Sequence, residues 1–365
     1  MAIKIAYITK DLPINGISNV IMNYIYFIDR DKYDITLICG DPINKKYENE
    51  LKEMGVEIFK VQNKKKNPVK YFVSLYKFLK GNRFDIVHIH GNSATIAIEL
   101  FLSKISRIKV RIPHCHSNKS EYMLMHKLLH PFFLRLYTHG LACSETAGKW
   151  LFRDYEFKII PNSFSVEKFV YNQTQRDIIR EKLNVGNSLV IGHVGRFNDS
   201  KNHEFLIKLF NEVSNTIPNV KLLIVGDGPL RDKVKYLISE SQFKENIILY
   251  NESTSPENLY SAIDLFVFPS KYEGLGIVLL EAQINGLKCI ISDVIPKEAT
   301  IGPNVVELGL DDKLSLWVNE ITKENNISRN SFIFENWDRI KKYDVKTSIN
   351  DLEKFYEAAL SGKTI

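Results

Sequence analysis

Several features are scarce in this chain, and each scarcity narrows the reading. Its 365 residues contain four cysteines, Cys39, Cys115, Cys143 and Cys289. They are scattered without CxxC spacing, which argues against a zinc centre and a disulfide framework and for a reducing compartment. No run of about 18 apolar residues occurs, so no membrane-spanning helix is expected. The opening MAIKIAYITK is too short and too charged for a signal peptide, and a cytoplasmic location is expected. Charge of one sign is not in great excess. The formal net charge of +6 does not demand nucleic acid as a partner. A complete GxGxxG is also missing: KDLPINGISN has one glycine and VGDGPL two of the three, so a dinucleotide cofactor is set aside. Low-complexity tracts and short repeats are absent.

What is present is the composition of a soluble globular protein, 44% hydrophobic and 25% charged. The length favours two cores over one. Short apolar runs alternate with longer amphipathic stretches. Strands are expected at Ile3–Thr9, Ile35–Cys39, Val56–Lys60, Ile86–His90, Val110–Pro113, Leu141–Cys143 and Lys158–Ile160. A second series comprises Leu189–Val194, Lys221–Val225, Ile247–Tyr250, Leu265–Phe268 and Cys289–Ser292. Helical patterns such as Ser18–Ile28, Pro68–Leu79 and Ser93–Ile105 lie between strands. The expectation is α/β, with two doubly covered parallel sheets in Rossmann-like domains that face one another across a cleft. The expected domains are 1–170 and 188–344, with polar Tyr171–Asn187 as linker and a final helix in 345–365.

In α/β folds ligands sit at the carboxyl ends of strands. After Leu189–Val194 comes Gly195-Arg196-Phe197-Asn198-Asp199-Ser200-Lys201. A glycine permitting close approach, two cations and an electropositive helix start suit a diphosphate, although two solvated surface cations would read the same way. The segment FPSKYEGLGIVLLEAQINGLKCIISD, Phe268–Asp293, carries Glu273 in its loop and Glu281 in the following helix. Eight residues of helix span at most about 12 Å, comparable to the reach of a nucleotide sugar from hexose to ribose. Carboxylates accept from sugar hydroxyls. The plainer alternative is a solvated loop acid and a paired helix acid.

At this point the chain resembles a known family. Glu273-Gly274-Leu275-Gly276-Ile277-Val278-Leu279-Leu280-Glu281 looks like the E-x7-E motif of retaining GT-B glycosyltransferases, specifically glycosyltransferase family 4. Pro269-Ser270, Gly286, Gly195-Arg196 with Lys201, Val225-Gly226-Asp227-Gly228-Pro229 and Ile160-Pro161-Asn162 match in the family's order. EAQINGLKCIISD and RIPHCHSN resemble the branch that assembles bacterial capsular and exopolysaccharides. The resemblance implies that Arg196 and Lys201 hold the donor diphosphate and that Glu281 accepts from the ribose. Glu273 would contact the donor sugar, with Gly195 and the N–H groups near Gly274, Leu275, Gly276 and Ile277 at the phosphates. Gly16 would lie in the first loop near the donor. His116 would be the N-domain histidine beside the transferred sugar, with His114 as the competing register.

Two departures concern the first domain. Asn15 and Ser18 occupy the positions of the family's first glycine and its acid, and Pro161-Asn162-Ser163-Phe164-Ser165 replaces Pro-Asn-Gly-x-Asp. The chemistry implied is loss of a nucleoside diphosphate, with fixed cations and N–H groups stabilising the departing charge. No protein nucleophile, cofactor or metal is required. Asp29-Arg30-Asp31 spells the DxD of a different fold but follows a helix, and is expected to be a solvated turn.

Two segments bear on the acceptor. Lys60–Arg83 mixes seven lysines and one arginine with Tyr71, Phe72, Tyr76 and Phe78, and Tyr122–Tyr137 is apolar with few charges. A basic amphipathic helix can lie on an anionic membrane, or simply pack on the sheet with its lysines in water. The leading expectation is a hexosyltransferase using a nucleotide sugar, UDP-linked by default, and a glycan or undecaprenyl-diphosphate-linked acceptor at the inner membrane face. A sugar-modifying enzyme such as an epimerase and a non-catalytic GT-B partner subunit are the alternatives. The resemblance also implies that the last helix returns to the first domain.

Overall fold

A computed structural model describes residues 2–13, 16–62, 64–117, 120, 122–250, 257–273, 275–323 and 328–362. It divides into two units, Met1–Phe164 with Lys342–Ile365, and Ser165–Lys341.

The first unit contains seven strands: β1 Ile3–Thr9, β2 Tyr33–Cys39, β3 Glu57–Lys60, β4 Ile86–His90, β5 Val110–Cys115, β6 Leu141–Ala142 and β7 Lys158–Ile159. They form one parallel sheet in the order β3-β2-β1-β4-β5-β6-β7. The alternation of β1 shows why its central positions are apolar on both faces. Ile5 and Tyr7 face a core with helix Gly16–Phe27 and helix Val345–Ser361. Ala6 and Ile8 face a core with helices Pro68–Asn82, Ala97–Ile105 and Met123–Phe133. The final helix contributes Ile349, Leu352, Phe355 and Tyr356 to this unit's core.

The second unit contains β8 Leu189–Val194, β9 Val220–Val225, β10 Ile247–Tyr250, β11 Leu265–Phe268, β12 Lys288–Ser292 and β13 Val305–Leu308. Its parallel order is β10-β9-β8-β11-β12-β13. The edge strand β13 is not among the expected strands, because Val305-Val306-Glu307-Leu308 is short and half-exposed with an acid inside it.

The stretch expected as a linker is structured. Helix Gln173–Lys182 occupies it, capped by Asn172, whose side chain accepts from the Gln175 N–H. Arg176 and Arg180 of this helix both pair with Asp264, at 2.5 and 3.0 Å. Its polarity therefore reflects ion pairing within the second unit. Asp29–Lys32 is a turn in which the Asp29 carboxylate accepts from the Asp31 and Lys32 N–H groups. Among the described residues no helix is long and apolar enough to cross a membrane.

Candidate active site

The second unit gathers its candidate residues at the carboxyl ends of β8 and β11. Residues 195–198 leave β8 and lead into a single 3-10 turn, Asp199–Lys201, and then helix His203–Thr216. Two further loops brace this one. The Lys271 N–H donates to the Ser200 carbonyl at 2.8 Å. The Phe197 N–H donates to the Asp227 carbonyl, and the Leu230 N–H to the Phe197 carbonyl, at 2.9 and 3.0 Å. The two glycines of Val-Gly-Asp-Gly-Pro make this contact possible. A Cβ at Gly226 would lie 2.0 Å from the Gly195 carbonyl oxygen, and one at Gly228 would lie 2.6 Å from that of Phe197. Both have positive φ, 148° and 159°. These glycines thus serve close loop packing, a role the weak GxG pattern alone did not reveal.

Within this frame Lys201 Nζ meets Glu273 Oε1 at 2.5 Å. Both side chains are only 11% exposed. The ammonium also lies 4.5 Å from the centre of the buried Phe268 ring. An added Cβ at Gly195 would sit 3.0 Å from Lys201 Cε, so this glycine keeps the lysine stem against the strand end. Arg196 is exposed beside it. The sequence-named cation and acid, 72 residues apart, are therefore in direct contact. Gly274 lies outside the described residues.

Gly276 takes a left-handed φ of 79° and caps helix Ile277–Ile284 without a side-chain hydrogen bond. Buried Leu275 precedes it and half-buried Ile277 opens the helix. The uncapped first turn offers N–H groups and the positive end of the helix dipole. Glu281 lies one turn from the helix end, half-buried, and accepts from the buried Tyr260 hydroxyl at 2.7 Å. Tyr260 orients that carboxylate; no sequence pattern marked it.

The first unit carries a different constellation. His88 and His90 alternate on β4, and His114 and His116 alternate at the end of β5. The register pairs His90 with His114. All four rings share one sheet face and are buried. His116 Nδ1 lies 2.8 Å from Asn162 Oδ1, and its Nε2 lies 2.9 Å from His90 Nδ1. Because an amide oxygen only accepts, Nδ1 carries the proton and Nε2 accepts from His90. His88 bonds His114 at 3.1 Å and the Tyr356 hydroxyl at 2.6 Å, and Tyr356 reaches Tyr7 at 3.0 Å.

Burial drives His88, His90 and His114 well below the usual imidazole range, with neighbouring imidazoles adding to the shift. Burial lowers His116 to about 4, against the raising effect of the hydrogen bond it donates to Asn162. The ladder is neutral at pH 7. His116 stands just past the strand, whereas His114 lies within it. With both His116 nitrogens engaged, a sugar hydroxyl reaches that ring only by displacing His90 or Asn162. His88, His90 and His114 bring nitrogens within 4.8 Å of one another. His88 and His90 were missed in the sequence, although the paired alternations IVHIH and IPHCH were visible signals. Gly16 is exposed at the start of helix Gly16–Phe27, and Asn15 lies outside the described residues.

Two parallel Rossmann-like units, the second with cations, acids and glycines at its strand ends, define the GT-B class of glycosyltransferase. HepE of Anabaena, solved with UDP and glucose, matches this fold with a TM-score of 0.79 at 17% identity, covering 98% of this chain and 100% of its own. The profile described as Glycosyltransferase Family 4 matches residues 14–168, and that described as Glycosyl transferases group 1 matches residues 175–331. The chain belongs to this glycosyltransferase family. EpsF of Bacillus subtilis (strain 168) is 28% identical over 97% of this chain and 96% of its own. The Escherichia coli UDP-Gal:alpha-D-GlcNAc-diphosphoundecaprenol alpha-1,3-galactosyltransferase is 28% identical over 80% of each.

Proposed function

We propose that this glycosyltransferase moves a hexosyl or N-acetylhexosaminyl unit, with retention, from a UDP-sugar to a lipid-linked glycan in capsular or exopolysaccharide assembly. The observation that carries the reading is the Lys201–Glu273 pair, which lies next to the helix start at Gly276 and at the end of the loop that carries exposed Arg196. The donor's anomeric C–O bond breaks and negative charge grows on the β-phosphate oxygen. Lys201, Arg196 and the N–H groups at the start of helix Ile277–Ile284 stabilise that charge, so neither a metal nor a protein nucleophile is needed. Glu273 accepts from the donor sugar and Glu281, held by Tyr260, from the ribose. His116 serves as a neutral polar group toward the sugar when a sugar hydroxyl takes the place of His90 or Asn162 at the ring. The named acceptor lipid of the Escherichia coli relative supports a lipid-linked acceptor and work at the inner membrane face.

The test is nucleoside-diphosphate release from single nucleotide sugars, with and without membrane lipid extract. Release from one donor, lost in Lys201→Ala and Glu273→Ala, is the expected result. If no nucleotide sugar is turned over and calorimetry detects no binding, the catalytic reading is wrong and a non-catalytic partner role takes its place.

A further inference from the structure

Helices Pro68–Asn82, Ala97–Ile105 and Met123–Phe133 pack on one face of the first sheet, the middle one touching both neighbours. Tyr71, Leu75, Leu79, Leu100 and Phe133 are their inward anchors. Their opposite faces therefore belong to one surface. An ordinary amphipathic helix turns charge to that side. Here Leu124, Leu128 and Phe132, spaced four apart, are 73%, 58% and 61% exposed. Val69 on the first helix is 71% exposed, and Phe72 and Phe101 are exposed as well. The sequence admitted packing as the reason for the apolar Tyr122–Tyr137 stretch, yet five of the seven Met, Leu and Phe side chains of helix Met123–Phe133 are exposed.

The exposed charge on these helices has one sign. Lys70, Lys77, Lys80, Lys104 and Lys127 are exposed. The only acid on the three helices is Glu99, which is 4% exposed and bound to Lys64 and Tyr71. A second copy seated here would set lysines against lysines. An anionic bilayer surface satisfies both components, because apolar side chains enter the headgroup boundary while lysines stay at the phosphates.

We infer that this three-helix face docks the chain on an anionic lipid surface. It deepens the proposed function by naming the surface that would bring the enzyme to a lipid-linked acceptor, and it is tested without turnover. The full chain is sedimented with phosphatidylglycerol-containing and with pure phosphatidylcholine vesicles at low and high salt. Partitioning onto the anionic vesicles is expected, weakening with salt. The variant Leu124→Glu/Leu128→Glu/Phe132→Glu should lose about tenfold or more at either salt, and Lys70→Glu/Lys77→Glu/Lys80→Glu should lose affinity together with the salt dependence. Unchanged melting and nucleoside-diphosphate binding show that both variants are folded. Absence of binding by the parent, or equal binding by either variant, overturns the docking face. So does a concentration-dependent dimer that the apolar variant abolishes, which would assign the face to a second copy. Lost vesicle binding with intact donor turnover would leave the proposed function standing, and the converse would leave the docking face standing.

Discussion

Replacing Glu273 by glutamine should separate binding of product from binding of donor. The carboxylate lies 2.5 Å from Lys201 Nζ in a mostly buried pair. A phosphate oxygen bound to the same ammonium would come within about 4 Å of that carboxylate, where two like charges repel by about 4 kcal/mol at an effective dielectric of 20. Solvent around the open diphosphate site and the surviving pull of Lys201 reduce this, and we take about a third of it. That is about 1.4 kcal/mol, or a factor of ten in affinity. Glu273→Gln is therefore expected to bind free UDP about tenfold more tightly by calorimetry. The same variant loses a charged acceptor for the donor sugar and should release nucleoside diphosphate about 10²-fold more slowly. Lys201→Ala should weaken both. If Glu273→Gln weakened UDP binding as much as Lys201→Ala does, the carboxylate would not face the diphosphate, and the assignment of this pair to the donor site would be wrong.

Other outcomes follow from the same geometry. Arg196→Ala should change stability by less than about 0.5 kcal/mol, because the side chain is exposed, yet slow turnover about 10²-fold; chemical denaturation and product release measure the two separately. Gly226→Ala should cost at least about 3 kcal/mol or prevent folding, since its Cβ would overlap the Gly195 carbonyl, and denaturant melts would show it. Tyr356→Phe leaves His88 Nδ1 without its partner and should cost about 1–3 kcal/mol in the same assay. For pH, the buried histidines have folded pKa values below 6.5. The unfolded chain then binds more protons as pH falls, so stability is full above about 6.5 and drains toward pH 4. For His116, whose folded value is about 4, the slope across that window is roughly 1.4 kcal/mol per pH unit, and the other three act in the same direction. Melting temperatures should drop steeply from pH 7 to pH 5, and a flat profile would mean the ladder is solvated.

Strand periodicity and loop composition made much of the fold legible. β1, β4, β8, β10 and β11 have the bounds expected from the sequence, because strands of a parallel sheet covered by helices read as mostly apolar runs ended by turn residues. The edge strand Val305–Leu308 was not legible, since an edge is half-solvated and tolerates Glu307. The helix Gln173–Lys182 was read as linker because its stabilising contacts, two arginines on Asp264, are about 85 residues away. Local polarity carries no record of a distant partner.

The candidate site divides the same way. By itself the sequence determined the two-sheet α/β organisation, the family, and the names of Arg196, Lys201, Glu273 and Glu281, because these sit beside strand-end glycines whose spacing is local. Only the tertiary structure decided that Lys201 and Glu273 neutralise one another, that Tyr260 holds Glu281, and that His116 is the end of a neutral imidazole ladder rooted in Tyr356. Register between parallel strands and the return of the last helix bring those groups together across as many as 268 residues. Pairing and burial over such separations fix charge state and geometry, and neither is written in any short stretch of chain.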